Sequence, residues 1–206
     1  IDSHDCTPEI GEAHRELAGP DIVPGCAAEP NAFVDSAAIP SVDPFAIGAA
    51  VVRQYDLGPC EFGVPMRVRI HAPIGDGEFP VVVFLHGFLA ANSWYDQILS
   101  HLASHGFIVV APQMYERGFT AVLGTPAAAD EATWACALLD WIPVHLQRAI
   151  RVSPRVDRVG IVGHSRGGKV AWMVARDHPD RICAIAGLDP VDGSGRLFGG
   201  QARVIP

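Results

Sequence analysis

The residues with the clearest chemical potential lie in Gly163-His-Ser-Arg-Gly167, which fits the pattern Gly-x-Ser-x-Gly. A serine between glycines is typical of a nucleophile on a sharp turn, where bulky neighbours would clash. An apolar segment that predicts a buried strand precedes this motif, and a helical pattern begins near Arg166. Free N–H groups at a helix start favour the negative charge that develops during attack on a carbonyl. The pattern therefore predicts Ser165 as a catalytic nucleophile.

A second candidate segment is Leu85-His-Gly-Phe88, which follows a continuous apolar run. In folds with such a serine turn, this loop gives one backbone N–H to the oxyanion, and the residue after the nucleophile gives the other. We therefore assign the two donors to Phe88 and Arg166. His86 is a less favoured candidate for the general base, because a histidine on this loop more often packs the loop itself.

The carboxylate that would orient a catalytic histidine is sought at the end of a neighbouring strand. Two aspartates qualify in Leu188-Asp-Pro-Val-Asp-Gly193, namely Asp189 and Asp192. The ordinary alternative is that both belong to Asp-Pro and Asp-Gly turns. We favour Asp189, because it lies closer to the strand end.

The elements that must position these residues alternate between strands and helices. Apolar and alternating patterns predict strands over 51–57, 66–72, 80–85, 107–112, 156–162 and 181–188, and helical periodicity predicts helices over 93–105, 126–150 and 166–177. We expect the strand over 66–72 to be half exposed and the second helix to be bent at Pro143. The alternation predicts a mostly parallel sheet flanked by helices, and together with the serine turn it predicts the α/β-hydrolase fold.

Composition and charge narrow the function classes. The chain has 206 residues, 49% hydrophobic and 18% charged, with a formal net charge of −8 and scattered basic residues. A nucleic-acid partner is therefore not expected. No apolar run approaches the ~20 residues that span a bilayer, so no transmembrane segment is expected. Residues 1–45 predict an irregular extension rich in Pro, Gly and acidic residues, and 46–206 predict the hydrolase domain.

The five cysteines bear on disulfide bonding and on the cellular compartment. Cys6, Cys26 and Cys60 lie in the N-terminal part and predict a disulfide, whose pairing stays open, in a secreted or periplasmic protein; a plastid-like or cytoplasmic location is the alternative. We expect Cys136 and Cys183 to be small core residues. No cysteine or histidine spacing favours a metal site.

Together these motifs resemble those of chlorophyllases, within the lipase and cutinase group of hydrolases. The resemblance spans roughly residues 66–193 and is carried by four stretches: Pro80-Val-Val-Val-Phe-Leu-His-Gly-Phe88, Ser104-His-Gly-Phe-Ile-Val-Val-Ala-Pro-Gln113, Gly163-His-Ser-Arg-Gly-Gly-Lys169 and Gly187-Leu-Asp-Pro-Val-Asp-Gly193. It implies that Ser165 is the nucleophile and Asp189 the triad acid. It also implies hydrolysis of chlorophyll to chlorophyllide and phytol, with no organic cofactor or metal.

The third member of the expected triad is missing from the sequence. The order in this fold is serine, acid, histidine, and no histidine follows Asp189. His178 would lie ~18 Å along a helix from Ser165, so we interpret it as a surface or C-capping residue. We expect the last strands and the catalytic histidine to come from a second chain cut from the same precursor. Truncation of the chain is the simpler alternative, but it would expose the sheet edge. For the function, the alternatives are a secreted polyester or lipid esterase, and a non-catalytic binder of a lipophilic ligand.

Overall fold

The computed structural model describes residues 43–115 and 126–191. The chain divides into two units, Ile1–Asp43 and Pro44–Pro206, and all elements below belong to the second. The predicted extension 1–45 lies almost wholly outside the described residues, as do Cys6 and Cys26. Its irregular structure and its disulfide therefore stay predictions.

The described strands form one sheet. They are β1 (Val52–Leu57), β2 (Val68–Pro73), β3 (Glu78–Leu85), β4 (Ile108–Pro112), β5 (Ser153–His164) and β6 (Ile182–Leu188). Their order across the sheet is β1-β2-β4-β3-β5-β6. β2 is antiparallel to both of its neighbours, whereas β4, β3, β5 and β6 run parallel. The predicted strands and the predicted α/β-hydrolase fold are confirmed.

Among the described residues, three helices connect the parallel strands: α1 (Asp96–Ser104), α2 (Ala128–Ile150) and α3 (Arg166–Asp177). α2 buries a stripe with helical spacing that includes Leu138, Ile142 and Leu146. Pro143 lies inside α2 without ending it. A short 3-10 turn, Asn92–Tyr95, leads into α1.

Alternation along β3 divides the core between the two faces of the sheet. Val81 and Val83 belong to the cluster that contains the apolar side chains of α2 and α3, whereas Val82 and Phe84 pack with Leu99 of α1. Burying a side chain of this size contributes about 1.5–3 kcal/mol relative to leaving it exposed. The apolar run of β3 is therefore explained by helices on both faces, as predicted for a buried parallel strand.

The order of the strands creates a place for ligand binding at the carboxyl ends of the parallel strands. β4 lies on one side of β3, and the chain then crosses to β5 on the other side. In open parallel sheets, ligands bind outside the carboxyl ends of the strands at such a reversal. Leu85 ends β3 and His164 ends β5, so the Leu85–Phe88 segment and Ser165 follow the two strands that flank the reversal.

Two expectations from the sequence are wrong. β2 is not half exposed, because α1 covers it: His71 is 2% exposed and bonded to Ser100. Cys183 is exposed on β6 rather than buried in the core, whereas Cys136 is half-buried and packs against the core; both are free thiols. His178 is the C-cap of α3, as predicted.

Candidate active site

The turn that carries Ser165 is strained. Ser165 has φ 52° and ψ −118°, a region that residues with a Cβ rarely occupy, and it is the N-cap of α3. Its N–H donates to the Leu188 carbonyl at 2.9 Å, and its carbonyl accepts from the N–H groups of Gly168 at 3.0 Å and Val191 at 3.2 Å. The surrounding backbone therefore fixes a conformation that the serine would not adopt alone.

The glycines of the motif allow three chain segments to meet. A Cβ added at Gly163 would lie 2.1 Å from the Gly167 carbonyl oxygen, and one added at Gly167 would lie 2.3 Å from the Leu85 carbonyl oxygen. Real Cβ atoms do not approach backbone this closely, so both positions require glycine. The first turn of α3 consequently sits against the end of β3, where the Leu85–Phe88 segment begins.

His86 is committed to structure. It is 1% exposed, its Nδ1 lies 2.8 Å from the Gly87 carbonyl oxygen, and its Nε2 lies 3.0 Å from the Met114 nitrogen. Since a carbonyl only accepts and a backbone N–H only donates, Nδ1 carries the proton and Nε2 accepts. Burial lowers the pKa of His86, which agrees with this neutral form. These contacts disfavour the minor candidate for the general base.

Two tyrosine hydroxyls hold the loop that follows His86. Tyr95 accepts the Gly87 N–H at 3.1 Å and bonds to Nδ1 of His164 at 2.8 Å. Tyr115 accepts the Leu89 N–H at 2.6 Å and donates to the Gly87 carbonyl at 3.3 Å. Burial raises the pKa of Tyr115 to about 12, so this phenol stays protonated across the ordinary pH range.

The two residues assigned as oxyanion donors are in contact through their side chains. The Arg166 guanidinium carbon lies 5.3 Å from the centroid of the Phe88 ring, within cation–π range. Arg166 also forms an ion pair with Glu131 of α2, with Nε 2.6 Å from Oε1. The loop after β3 and the residue after the nucleophile are therefore linked.

The predicted acid, Asp189, lies beside the turn around Ser165, called here the elbow (Gly163–Gly167). Asp189 follows Leu188, the last residue of β6, and precedes Pro190. It has φ 43° and is exposed. Leu188 and Val191 both bond to the backbone of Ser165. Asp192, the alternative acid, lies outside the described residues, so the choice between the two aspartates stays a prediction.

The structure thus brings Ser165, Arg166, Phe88 and Asp189 together at the carboxyl edge of β3, β5 and β6. The sequence did not predict the hydrogen bonds of the Tyr95 and Tyr115 hydroxyls or the ion pair of Glu131. Glu131 lies next to Asp130 in an ordinary acidic first helical turn, and no local pattern marks it as buried. Among residues 43–115 and 126–191, no group of three His, Cys, Asp or Glu side chains is arranged to hold a metal ion.

Known proteins are similar in sequence to this chain. A family model described as Chlorophyllase matches residues 41–205. Chlorophyllase-2 of Arabidopsis thaliana is 37% identical over 139 residues, which are 64% of this chain and 42% of that protein. Chlorophyllase-1, chloroplastic, of Citrus sinensis is 38% identical over 137 residues, covering 66% of this chain and 40% of that protein. Chlorophyllase-1 of Arabidopsis thaliana is 34% identical over 167 residues, covering 75% and 49%.

This chain therefore spans less than half the length of these curated relatives. The family match nevertheless covers most of the chain and includes Phe88, Ser165 and Asp189. On that match, together with the sheet order and the strained serine turn, the chain belongs to the chlorophyllase family.

Proposed function

We propose that the protein is a serine carboxylic-ester hydrolase that works through an acyl-enzyme. The observation that carries the proposal is the conformation of Ser165, with φ 52° at the N-terminus of α3. Backbone strain of this kind costs on the order of 1–3 kcal/mol and persists where a function requires it. The N-cap position of Ser165 supports a nucleophile at the positive end of a helix dipole.

The reaction follows from the residues at this edge. The Ser165 hydroxyl attacks the ester carbonyl while a histidine base takes its proton, and the N–H groups of Phe88 and Arg166 stabilise the oxyanion. The protonated base then gives that proton to the departing alcohol, which leaves an acyl group on Ser165. A water attacks the acyl group in the same way and releases the acid. Asp189 orients the base and stabilises its charged form.

The proposed substrate is a lipophilic ester. Chlorophyll, cleaved to chlorophyllide and phytol, is the specific proposal, because the matched relatives carry the name chlorophyllase. Apolar side chains near the oxyanion loop support a lipophilic substrate: Phe88 and Leu89 are half-buried, and Trp94 is 63% exposed. A polyester or lipid ester is the alternative substrate for the same machinery.

We further propose that polypeptide outside these 206 residues supplies the histidine base. No histidine follows Asp189 in the sequence, and the nearby His86 is fully engaged. Within the described residues β6 pairs only with β5, and Ile185 and Leu188 on it are 38% and 36% exposed. Ile185 and Leu188 are three residues apart and so point to opposite faces of the sheet; a further strand beside β6, with helices on both faces, would cover them.

Denaturing electrophoresis of the protein from its natural source tests that origin. A second, smaller band whose sequence contains a histidine is the result expected for a chain cut from the same precursor. One longer band would place the base in a continuous chain instead. A single band of 206 residues with full esterase activity would contradict both forms of the proposal.

Covalent labelling tests the central assignment. A fluorophosphonate reacts only with an activated serine, and peptide mass mapping locates the adduct. We expect the label on Ser165 and none on Ser100, a second serine that contacts a histidine. Hydrolysis assays with chlorophyll, a p-nitrophenyl ester and a polyester then identify the substrate class. Binding of chlorophyll without labelling or hydrolysis would instead support the non-catalytic binder.

The proposed compartment is oxidising, as the N-terminal cysteines predict. In the parts of the chain that the structure covers, no helix combines the length and apolarity that a bilayer crossing requires. Intact mass measured before and after reduction and alkylation would count the disulfides. If five thiols are alkylated even without prior reduction, the protein has no disulfide, which would argue against an oxidising compartment.

A further inference from the structure

A buried ion pair lies next to the candidate oxyanion site. The Glu131 side chain is 2% exposed and the Arg166 side chain 11%, with Nε of the arginine 2.6 Å from Oε1 of the glutamate. Glu131 lies in the first turn of α2, and Arg166 in the first turn of α3. The pair therefore joins two helices whose N-termini lie at the carboxyl edge of the sheet.

The same guanidinium makes two further contacts. Its Nη2 donates to the Pro126 carbonyl just before α2, and its central carbon lies over the Phe88 ring. The guanidinium is a rigid planar group, so the ion pair at Nε and the hydrogen bond from Nη2 together restrict its orientation. Held by Glu131 and Pro126, the guanidinium stays in cation–π contact with Phe88.

Stability alone does not explain this pair. Removing charges from water costs several kcal/mol per ion, and well-packed apolar residues often serve as well or better in such a place. Burial raises the pKa of Glu131 to about 7, with Arg166 opposing that shift, so the carboxylate carries a cost at neutral pH. A costly pair beside the reacting atoms is more readily explained by geometry than by stability.

We propose that Glu131 is a positioning residue for the oxyanion hole: it fixes the Arg166 guanidinium against Phe88 so that the backbone N–H groups of Arg166 and Phe88 keep one spacing. This inference rests on the proposed esterase function. Donors that are preorganised toward the oxyanion act on the transition state more than on substrate binding. The effect of Glu131 is therefore expected in kcat rather than in KM.

The decisive variant removes both charges. In the full-length protein, Glu131→Leu with Arg166→Met leaves no buried charge uncompensated, so its urea midpoint should match or exceed that of the wild type. Its kcat should nevertheless fall about 10–100-fold with KM changed less than threefold, because displacing a catalytic group by about 1 Å can cost about 10²-fold. Each single variant should lose both stability and kcat.

A second ion pair on the same helix, more exposed than the first, provides a control for the loss of charge. Asp140 of α2 bonds to Arg181 at 2.8 Å, ahead of β6 and away from the elbow. Asp140→Leu with Arg181→Met should change neither kcat nor KM. Glu131→Gln keeps the shape of the side chain and should lower kcat even if the double variant fails to fold. For each protein, kcat is expressed per serine that fluorophosphonate labels.

Unchanged kcat in the double variant or in Glu131→Gln would overturn the positioning role while the proposed function stands. A wild-type protein that neither labels at Ser165 nor hydrolyses any ester would overturn the proposed function, and the positioning role with it.

Discussion

In the described part of the chain, a serine and a carboxylate that bear comparison lie together at two places, and only one of the two also has a histidine in contact with its serine. One is the elbow, where Ser165 and Asp189 lie at the carboxyl edge of the sheet. The other, called here the α1 cluster, consists of Ser100, His71 and Asp96. In it His71 Nδ1 is 3.0 Å from the Ser100 hydroxyl, and His71 Nε2 is 3.4 Å from an Asp96 oxygen.

The two places differ in backbone rather than in residue type. Ser100 lies in the middle of α1 with its neighbouring amides bonded within the helix, whereas Ser165 has a strained backbone at a helix start. His71 is 2% exposed, so no substrate reaches it. Asp96 also pairs with Arg69 at 2.8 Å, which occupies its second oxygen. The α1 cluster therefore ties α1 to β2.

This difference shows what the side-chain types alone do not provide. A nucleophile needs an approach for the substrate and donors aimed at the developing oxyanion, and both are supplied by the turn and the helix start. The α1 cluster offers neither, although its serine and histidine are in contact. Exchanging single residues at the two places tests the distinction directly.

The largest expected effect comes from the two serines. Ser165→Ala should lower kcat for a p-nitrophenyl ester by about 10⁶-fold, as loss of the nucleophile does in a comparable serine hydrolase. Ser100→Ala should leave kcat unchanged. Near-wild-type turnover by the Ser165 variant would show that the nucleophile lies elsewhere.

The carboxylates come next. Asp189→Asn should lower kcat by about 10⁴-fold, because an amide keeps the shape but cannot stabilise the charged base. Asp192→Asn and Asp96→Asn should retain most of the activity. A larger loss for Asp192→Asn than for Asp189→Asn would transfer the role of the acid to Asp192.

A backbone substitution separates strain from chemistry. Gly163→Ala would place a Cβ 2.1 Å from the Gly167 carbonyl oxygen, so α3 must shift away from β5. Overpacking of this kind costs about 1–3 kcal/mol. We expect a lower urea midpoint and a slower fluorophosphonate reaction. The control is Ala129→Ser on the exposed surface of α2, which should change neither the urea midpoint nor the labelling rate. Gly75→Ala is unsuitable as a control, because Gly75 has φ 146° and an alanine there would be strained.

The smallest effect is the pH dependence of the α1 cluster. Burial lowers the pKa of His71 below 6.5, although Asp96 and Asp56 oppose the shift and Arg69 adds to it. The unfolded chain therefore binds a proton first as the pH falls, and stability decreases below about pH 6.5. His71→Gln should flatten the dependence of the urea midpoint on pH between 7 and 5. An unchanged slope would show that other groups dominate.

Sequence patterns predicted the sheet, the elbow and the approximate place of each site residue. The strong signals were the unbroken apolar run of β3 and the glycines around Ser165, since both reflect local constraints. The burial of β2 was not predicted, because Arg69 and His71 are polar and their partners lie on distant elements. Glu131 was missed for the same reason: its burial depends on Arg166, 35 positions along the chain, and its own neighbours look like an ordinary helix start.

The two tyrosine hydroxyls on the oxyanion loop have a consequence for hydrogen exchange. The amide protons of Gly87 and Leu89 each bond to a phenol oxygen, so their exchange with deuterium requires the loop to detach from Tyr95 or Tyr115. Slow exchange at these two positions means that the loop reaches its working shape when the protein folds. Each arriving substrate then meets donors that are already ordered, and little of its binding energy is consumed in arranging them.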